Sequence, residues 1–296
     1  MRPVSDPDIR LLTTGDLDEA FGLSAAAGWN QRLADWRMLL QLAPAGGFAA
    51  VADDRIIGTA IGIDYGTFGW IAMMLVDPAH RGQGVGRRLL EAAMDVLPSG
   101  RPIRLDATPM GRPLYQRHGF EDEAMLTRHL LSGHLLSPST SRDESSPVRR
   151  LTTADLMVIT DEDNDVFGGS RKTVLEWALS SAPHYGLVAR SDAGLAHYCL
   201  GREGRLFDQI GPVVAGDNGI AAALVNAALA SAGARPVVVD AFDSHPLFTT
   251  SLRALGFQAQ RPLYRMCRRA GCAAASTGVE KRRALVEFAI LGPEFA

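Results

Sequence analysis

A chain of 296 residues, 47% hydrophobic and 21% charged with a formal net charge of −3, has the composition of a globular protein long enough for two domains. That balance gives no sign of a nucleic-acid or anionic-membrane partner, and no stretch nears the ~20 uninterrupted apolar residues that span a bilayer. Three cysteines (Cys199, Cys267, Cys272) without disulfide-like or zinc-like spacing, and a polar start from Met1 to Arg10, read as reduced thiols in a cytoplasmic protein with no signal peptide.

In chain order, Ile9 to Leu12 predicts a short strand, and Thr14 or Asp16 can cap a helix running through Ala26. Gln31 to Leu42 predicts a second helix, with Leu33, Trp36, Leu39 and Leu40 on one stripe. Three strands follow over Gly47–Ala52, Ile56–Ile63 and Gly69–Val76, with Asp53-Asp54 suited to the turn between the first two. A Gly-rich loop opens a helix from Gly84 to Leu97. A strand over Ile103–Ala107, a short helix over Arg112–His118 and one or two strands between Phe120 and Leu131 complete the unit. This is an α/β order with a mixed, mostly antiparallel sheet flanked by helices.

The second half repeats the first. Ile9-Arg10-Leu11-Leu12-Thr13-Thr14-Gly15-Asp16-Leu17 returns as Val148-Arg149-Arg150-Leu151-Thr152-Thr153-Ala154-Asp155-Leu156, at an offset of 139. Asp35-Trp36 is echoed by Glu176-Trp177, Pro102 to Ala107 by Pro236 to Ala241, and Gly119-Phe120 by Gly256-Phe257 at an offset of 137. Such a collinear series implies two tandem copies of a unit of about 130 residues. Residues 1–134 are the expected first domain and 148–269 the second. The Ser- and Pro-rich 135–147 reads as a linker, and 270–296 as a tail whose apolar segment from Ala284 to Leu291 should dock back as a strand.

The sharpest local signal is Trp70-Ile71-Ala72-Met73-Met74-Leu75-Val76-Asp77-Pro78-Ala79-His80-Arg81-Gly82-Gln83-Gly84-Val85-Gly86-Arg87-Arg88-Leu89-Leu90. An apolar strand ends at Asp-Pro, three alternate glycines allow close backbone approach, and a helix starts at once. Unpaired N–H groups at that helix start, with Arg81, Arg87 and Arg88 nearby, suit a pyrophosphate. A dinucleotide fingerprint G-x-G-x-x-G fails because position 87 is Arg, although Asp106 does lie 20 residues after Gly86. A Walker loop fails for want of G-K-[ST].

Arg81-Gly82-Gln83-Gly84-Val85-Gly86 closely resembles the pyrophosphate turn of the GCN5-related N-acetyltransferases (GNAT), Arg/Gln-x-x-Gly-x-Gly/Ala. Val76-Asp77-Pro78, Leu89-Leu90 and the later Leu114-Tyr115-Gln116-Arg117-His118-Gly119-Phe120 are similar to that family's pattern as well. Together with Trp29…Trp36, Gly58-Thr59-Ala60 and Leu105 to Pro109, they look like a bacterial tandem-domain subgroup. The resemblance implies acetyl-CoA as acyl donor. The backbone of Met74, Leu75 and Val76 would pair with its pantetheine arm. Arg81, Gly82, Gln83, Gly84, Val85, Gly86 and Arg87 would hold the pyrophosphate, and Tyr115 would lie at the thioester sulfur. Thr108 departs from the pattern, which often has Asn seven residues before the Tyr.

Acyl transfer to an amine needs a neutral nucleophile, an oxyanion donor and a proton for the leaving thiolate. The phenol of Tyr115 is the candidate general acid. Asp106, at a strand end beside the cleft, is the candidate base, with Asp64, Tyr65 and Glu121 as further candidates for that role. The seven histidines have no metal-ligand spacing, so no metal is expected. In the second copy, Ile210 to Ile220 holds the place of the Gly-rich turn but lacks Arg-x-x-Gly-x-Gly and places Asp217 where phosphates would sit. The counterpart of Tyr115 there is Phe248 or Leu252, neither with a hydroxyl. The second copy therefore reads as degenerate; it could cover or wall the acceptor site, or mediate homodimerisation. The expected activity is acetyl transfer to a small-molecule amine. Protein acetylation or a non-catalytic acyl-CoA sensor are the alternatives.

Overall fold

The computed structural model describes residues 7–133, 148–190, 196–269 and 285–296. The expected linker at 135–147 and the Ala/Ser/Gly stretch at 270–278 fall outside them. The first repeat contains β1 (Asp8–Leu11), α1 (Leu17–Ala26), α2 (Leu33–Leu42), β2 (Gly47–Ala52), β3 (Arg55–Asp64), β4 (Gly69–Val76), α3 (Val85–Asp95), β5 (Ile103–Ala107), α4 (Arg112–Arg117) and β6 (Glu121–Leu131). The second contains β7 (Val148–Arg150), α5 (Thr153–Phe167), α6 (Lys172–Ser181), β8 (Leu187–Arg190), β9 (Ala196–Arg202), β10 (Asp208–Ala215), α7 (Asn218–Leu229), β11 (Val237–Phe242), α8 (Pro246–Ala254) and β12 (Gln258–Arg268). A last strand, β13, covers Val286–Ile290.

The repeat extends to its smallest devices. Asp16 accepts a bidentate bond from Arg10 and caps the backbone N–H of Thr13. Asp155 does the same with Arg149 and Thr152. Each trio satisfies donors at a helix start that would otherwise be orphaned. Between β2 and β3, Asp53 and Asp54 both take positive φ (48° and 58°), the conformation a two-residue hairpin turn requires.

All strands join one sheet, in the order β1-β2-β3-β4-β5-β12-β6-β11-β13-β10-β9-β8-β7. The repeats meet by exchange: β12 of the second pairs antiparallel with β5 of the first, and β6 of the first with β11 of the second. β12 and β6 pair with each other along nearly their whole length, Gln258↔Leu130 to Cys267↔Glu121. The first repeat is thus completed by a strand from the second.

One face of the sheet carries α1, α2, α5 and α6 over a single core, in which Trp36 and Trp70 join Val174, Leu175 and Tyr198. On the other face, α3 and α4 cover one core with Leu89, Leu90, Tyr115 and Phe120. There α7 and α8 cover another, with Leu224, Val225, Phe248 and Leu252. The chain end is wedged between the repeats: Tyr65 donates to Phe295 O (2.9 Å) and the Trp70 indole to Pro293 O (3.1 Å). Phe288, Ile290, Leu291 and Phe295 are all buried, at about 1.5–3 kcal/mol each, so this tail is an integral part of the fold.

Candidate active site

The site begins with a break in a ladder. β4 and β5 run parallel, but pair only at Gly69↔Ile103 and Trp70↔Arg104. Beyond Trp70, β4 carries one extra residue relative to β3, whose register passes from Ile61↔Ala72 to Thr59↔Leu75. Met73 sits in the bulge at φ +52°, and Thr59 Oγ1 pins it by donating to Met73 O at 2.8 Å. Ala72 and Met73 consequently pack into the same core. A bulge bends its strand, so β4 turns away from β5 and the Met74–Val76 edge opens along the fork. An extended ligand arm can add there as a strand would.

The Gly-rich turn stands at the far end of that edge. Asp77 caps it by accepting from the N–H of Ala79 (2.8 Å). Arg81 Nε donates to Val76 O (3.0 Å), and the Gln83 amide to Ala79 O (3.1 Å). Arg81 and Gln83 therefore brace the turn with these groups. Gly82 and Gly84 take positive φ (76° and 83°), and a Cβ at either would point into open space. Gly84 is the N-cap of α3, whose first turn holds no acidic residue. Its unpaired N–H groups and the positive end of the helix dipole face the open hollow, a suitable seat for a pyrophosphate. Gly86 instead faces Leu114 and Val76. Arg87 is exposed, 3.4 Å from Glu91.

Tyr115, on α4, is buried on the α3 side of the fork, its ring 6.0 Å from that of Phe120. Burial pushes the phenol above its usual pKa, so it keeps its proton at neutral pH. Thr108, at the position noted above, accepts from the N–H of Gly111 through its hydroxyl and helps start α4. In the second repeat the Phe257 N–H bonds Leu252 O (3.0 Å), as the Phe120 N–H bonds Tyr115 O (3.1 Å). Leu252, not Phe248, is therefore the counterpart of Tyr115.

Asp106 is not brought to Tyr115. Along β5, Ile103, Leu105 and Ala107 face the α3 core, so Arg104 and Asp106 face the opposite side. There Asp106, its side chain wholly buried, receives a bidentate pair from Arg265 of β12 (both 2.9 Å). Its repeat mate Asp240 receives the same from Arg128 of β6 (both 2.7 Å). Burial would raise the Asp240 pKa, but Arg128 and Gln209 outweigh it and hold the group below the usual carboxylate range. The two pairs lock the exchanged strands to their hosts. The Asp106 carboxylate is thus occupied on both oxygens by Arg265, on the face of the sheet opposite Tyr115. The remaining acid–base candidates are also engaged or remote: Asp64 pairs with Arg101, Tyr65 holds the tail, and Glu121 is exposed at the start of β6.

A cavity of about 490 Å³ lies on the Asp106 side of the sheet, between the repeats, lined by Trp70, Arg104, Glu123, Phe167, Phe242 and Arg265 among others. Trp70 and Arg104 are the last rung before the fork, so the cavity meets the fork from the face opposite Tyr115. Arg265 stacks on Trp70 and Phe242 (5.0 Å each), and Arg104 on Phe68 (5.0 Å). Sequence reasoning missed Arg265 and Arg128. The signal was available, because they recur at the 137-residue offset of Gly119-Phe120 and Gly256-Phe257.

The second repeat has the same fork, filled differently. β10 and β11 pair in parallel only at Asp208↔Val237 and Gln209↔Val238. Past that rung β13 inserts, pairing with β10 through Ala215↔Val286 and with β11 through Ala241↔Ala289. Asp217 caps α7 by accepting from the Ile220 N–H (2.9 Å), which places a carboxylate at the helix start. No helix is long and apolar enough to cross a membrane, and no cluster of His, Cys, Asp or Glu could hold a metal, among the described residues.

Comparison with known proteins agrees with this geometry. Two family profiles, each an acetyltransferase (GNAT) domain, match residues 44–122 and 159–277, together more than half of the chain. The chain is 27% identical over 237 residues to the uncharacterized N-acetyltransferase YitH of Bacillus subtilis, covering 79% of this chain and 82% of that one. An acetyltransferase candidate from Pyrococcus horikoshii shares the fold with a TM-score of 0.75 at 21% identity, over 98% of this chain and 96% of its own. A tandem GNAT protein from the clavulanic acid biosynthesis pathway superposes with a TM-score of 0.59 at 15% identity, over 90% of this chain and 100% of its own. The chain belongs to the GCN5-related N-acetyltransferase family, as an acyltransferase built from two tandem domains of that fold.

Proposed function

We propose that the first domain transfers an acetyl group from acetyl-CoA to the primary amine of a small molecule, by direct attack within a ternary complex. One conjunction carries the reading: among the described residues, the open β4–β5 fork, the glycine hollow at α3 and the Tyr115 hydroxyl occur together in this domain and not in the second. The pantetheine arm adds along Met74, Leu75 and Val76, and the pyrophosphate sits on the N–H groups from Gly82 to Arg87. The backbone N–H groups freed where β4 splays stabilise the oxyanion as the amine attacks the thioester carbon. The departing thiolate, of pKa near 8.5 as a free thiol, takes the proton of Tyr115, which burial has kept protonated.

The second domain serves as a wall rather than a second catalyst. β13 fills its fork, Asp217 occupies its helix start, and Leu252 replaces the phenol. A cavity of about 490 Å³ lined by residues of both domains is within the 300–1,000 Å³ range of small-ligand sites, and that size favours a small acceptor over a protein amine. The test is thiol release from acetyl-CoA against a panel of primary amines, with acetyl-CoA protection against thermal unfolding measured alongside. Tyr115→Phe should keep the thermal protection and lose about 100-fold or more in kcat. Protection without turnover on any amine would favour the sensor reading, and no protection at all would end both.

A further inference from the structure

Resting on that reading, one buried carboxylate answers a question it leaves open, namely where the amine's proton goes. Glu287, on β13, lines the cavity between the domains. Its side chain is 9% exposed, and its Oε1 lies 2.8 Å from Arg171 Nη2. Arg171 is therefore shared between two carboxylates, Glu287 and Asp163. Its Nε and Nη2 bond Asp163 at 3.0 and 2.8 Å, and its Nη1 bonds Ala296 O at 3.2 Å.

The surrounding charge selects the ligand. Behind the lining, Arg265 pairs with Asp106 and Arg104 with Glu123, whereas Arg171 faces both Asp163 and Glu287, so one negative charge in this group of pairs is not matched by a guanidinium of its own. His245, half-buried with its ring 4.3 Å from that of Phe288, is held towards the neutral form by burial. Tyr198 stays protonated beside Asp163 and Arg171. Phe68, Trp70, Phe167 and Phe242 supply an apolar lining. Charge and lining together fit an ammonium carried on a flat apolar body.

We propose that the acceptor is an arylalkylamine-like primary amine bound in this cavity, and that Glu287 Oε1 binds its ammonium and takes the proton. The free amine then attacks the thioester carbon at the fork, the C–N bond forms and the C–S bond breaks. The thiolate takes the Tyr115 proton from the opposite face of the sheet, and the phenolate is reprotonated by the proton shed from the new amide nitrogen. Glu287 returns its own proton to solvent. Burial already raises the Glu287 pKa, the direction a base working near neutral pH needs.

The probe is 2-phenylethylamine, titrated into the CoA-saturated protein by calorimetry and assayed with acetyl-CoA for thiol release. Glu287→Gln should weaken amine binding and lower kcat/KM for the amine by at least ten-fold, leave acetyl-CoA protection intact, and be partly rescued by Glu287→Asp. Equal amine binding by wild type and Glu287→Gln, or no binding to the wild type, overturns the proposal even where acetyl-CoA protection upholds the parent reading. Loss of acetyl-CoA protection in the wild type would instead sink that parent reading.

Discussion

Replacing Asp106 by Asn separates a catalytic carboxylate from a structural one, because the fold supplies a matched control at Asp240. Both side chains are fully buried, and both are held bidentately by an arginine from an exchanged strand. Breaking a buried pair by neutralising one partner costs about 3–5 kcal/mol, because the other charge stays buried without compensation. The two sites are not equal. After Asp106→Asn, Arg265 keeps its stacking on Trp70 and Phe242, and its side chain is 12% exposed. After Asp240→Asn, Arg128 is left 7% exposed, and Gln209 loses its bond to Asp240 Oδ2. Asp106→Asn should therefore fall near the lower end of that range and Asp240→Asn near the upper. At about 2–4 °C per kcal/mol for a chain approaching this size, the melting points should fall on the order of 6–12 °C and 10–20 °C. Urea unfolding and thermal melts give the stabilities, and thiol release at a temperature where both variants are folded gives kcat. The expected outcome is parallel destabilisation with kcat within ten-fold of wild type for both. An Asp106→Asn variant as stable as wild type but inactive, beside an active Asp240→Asn, would refute the reasoning and restore Asp106 as the base.

Gly84→Val should abolish acetyl-CoA protection by straining a backbone at φ +83° and placing a branched side chain in the hollow, whereas Gly219→Ala in the second domain should leave it unchanged. Loss of protection in both would mean that the second domain also contributes a cofactor seat. His129 is 1% exposed, neither ring nitrogen has a partner among the described residues, and burial with help from Arg253 lowers its pKa. The unfolded imidazole takes up its proton near pH 6.5 and the folded one only at lower pH, so the unfolded state holds more protons in between and stability falls as pH drops below about 6.5. In His129→Leu, that part of the loss between pH 7.5 and 5.5 should vanish from urea midpoints; an unchanged difference would show that His129 is not its source.

The single sequence carried far for local reasons. Gly47–Ala52, Gly69–Val76 and Ile103–Ala107 are strands with the expected bounds, because each is a short apolar run stopped by turn residues. The helix ends shifted by up to two residues, since capping decides them: α2 starts at Leu33 rather than Gln31 because Asp35 accepts from the Arg32 N–H (2.6 Å). The Gly-rich turn was legible because its chemistry lies in consecutive residues. The pairing of Asp106 was not legible, for the opposite reason. Its partner Arg265 is 159 residues away, and only the exchange of β12 brings the two together. The same holds for Glu287, whose neighbours come from α5, β12 and the residue before α6. Periodicity and turn chemistry are properties of neighbours in the chain, and they determined the repeat, the elements and the fork that opens beside the glycine turn. Which carboxylate has a guanidinium to itself and which must share one depends on desolvation and pairing across the sheet, and that only the tertiary structure decided.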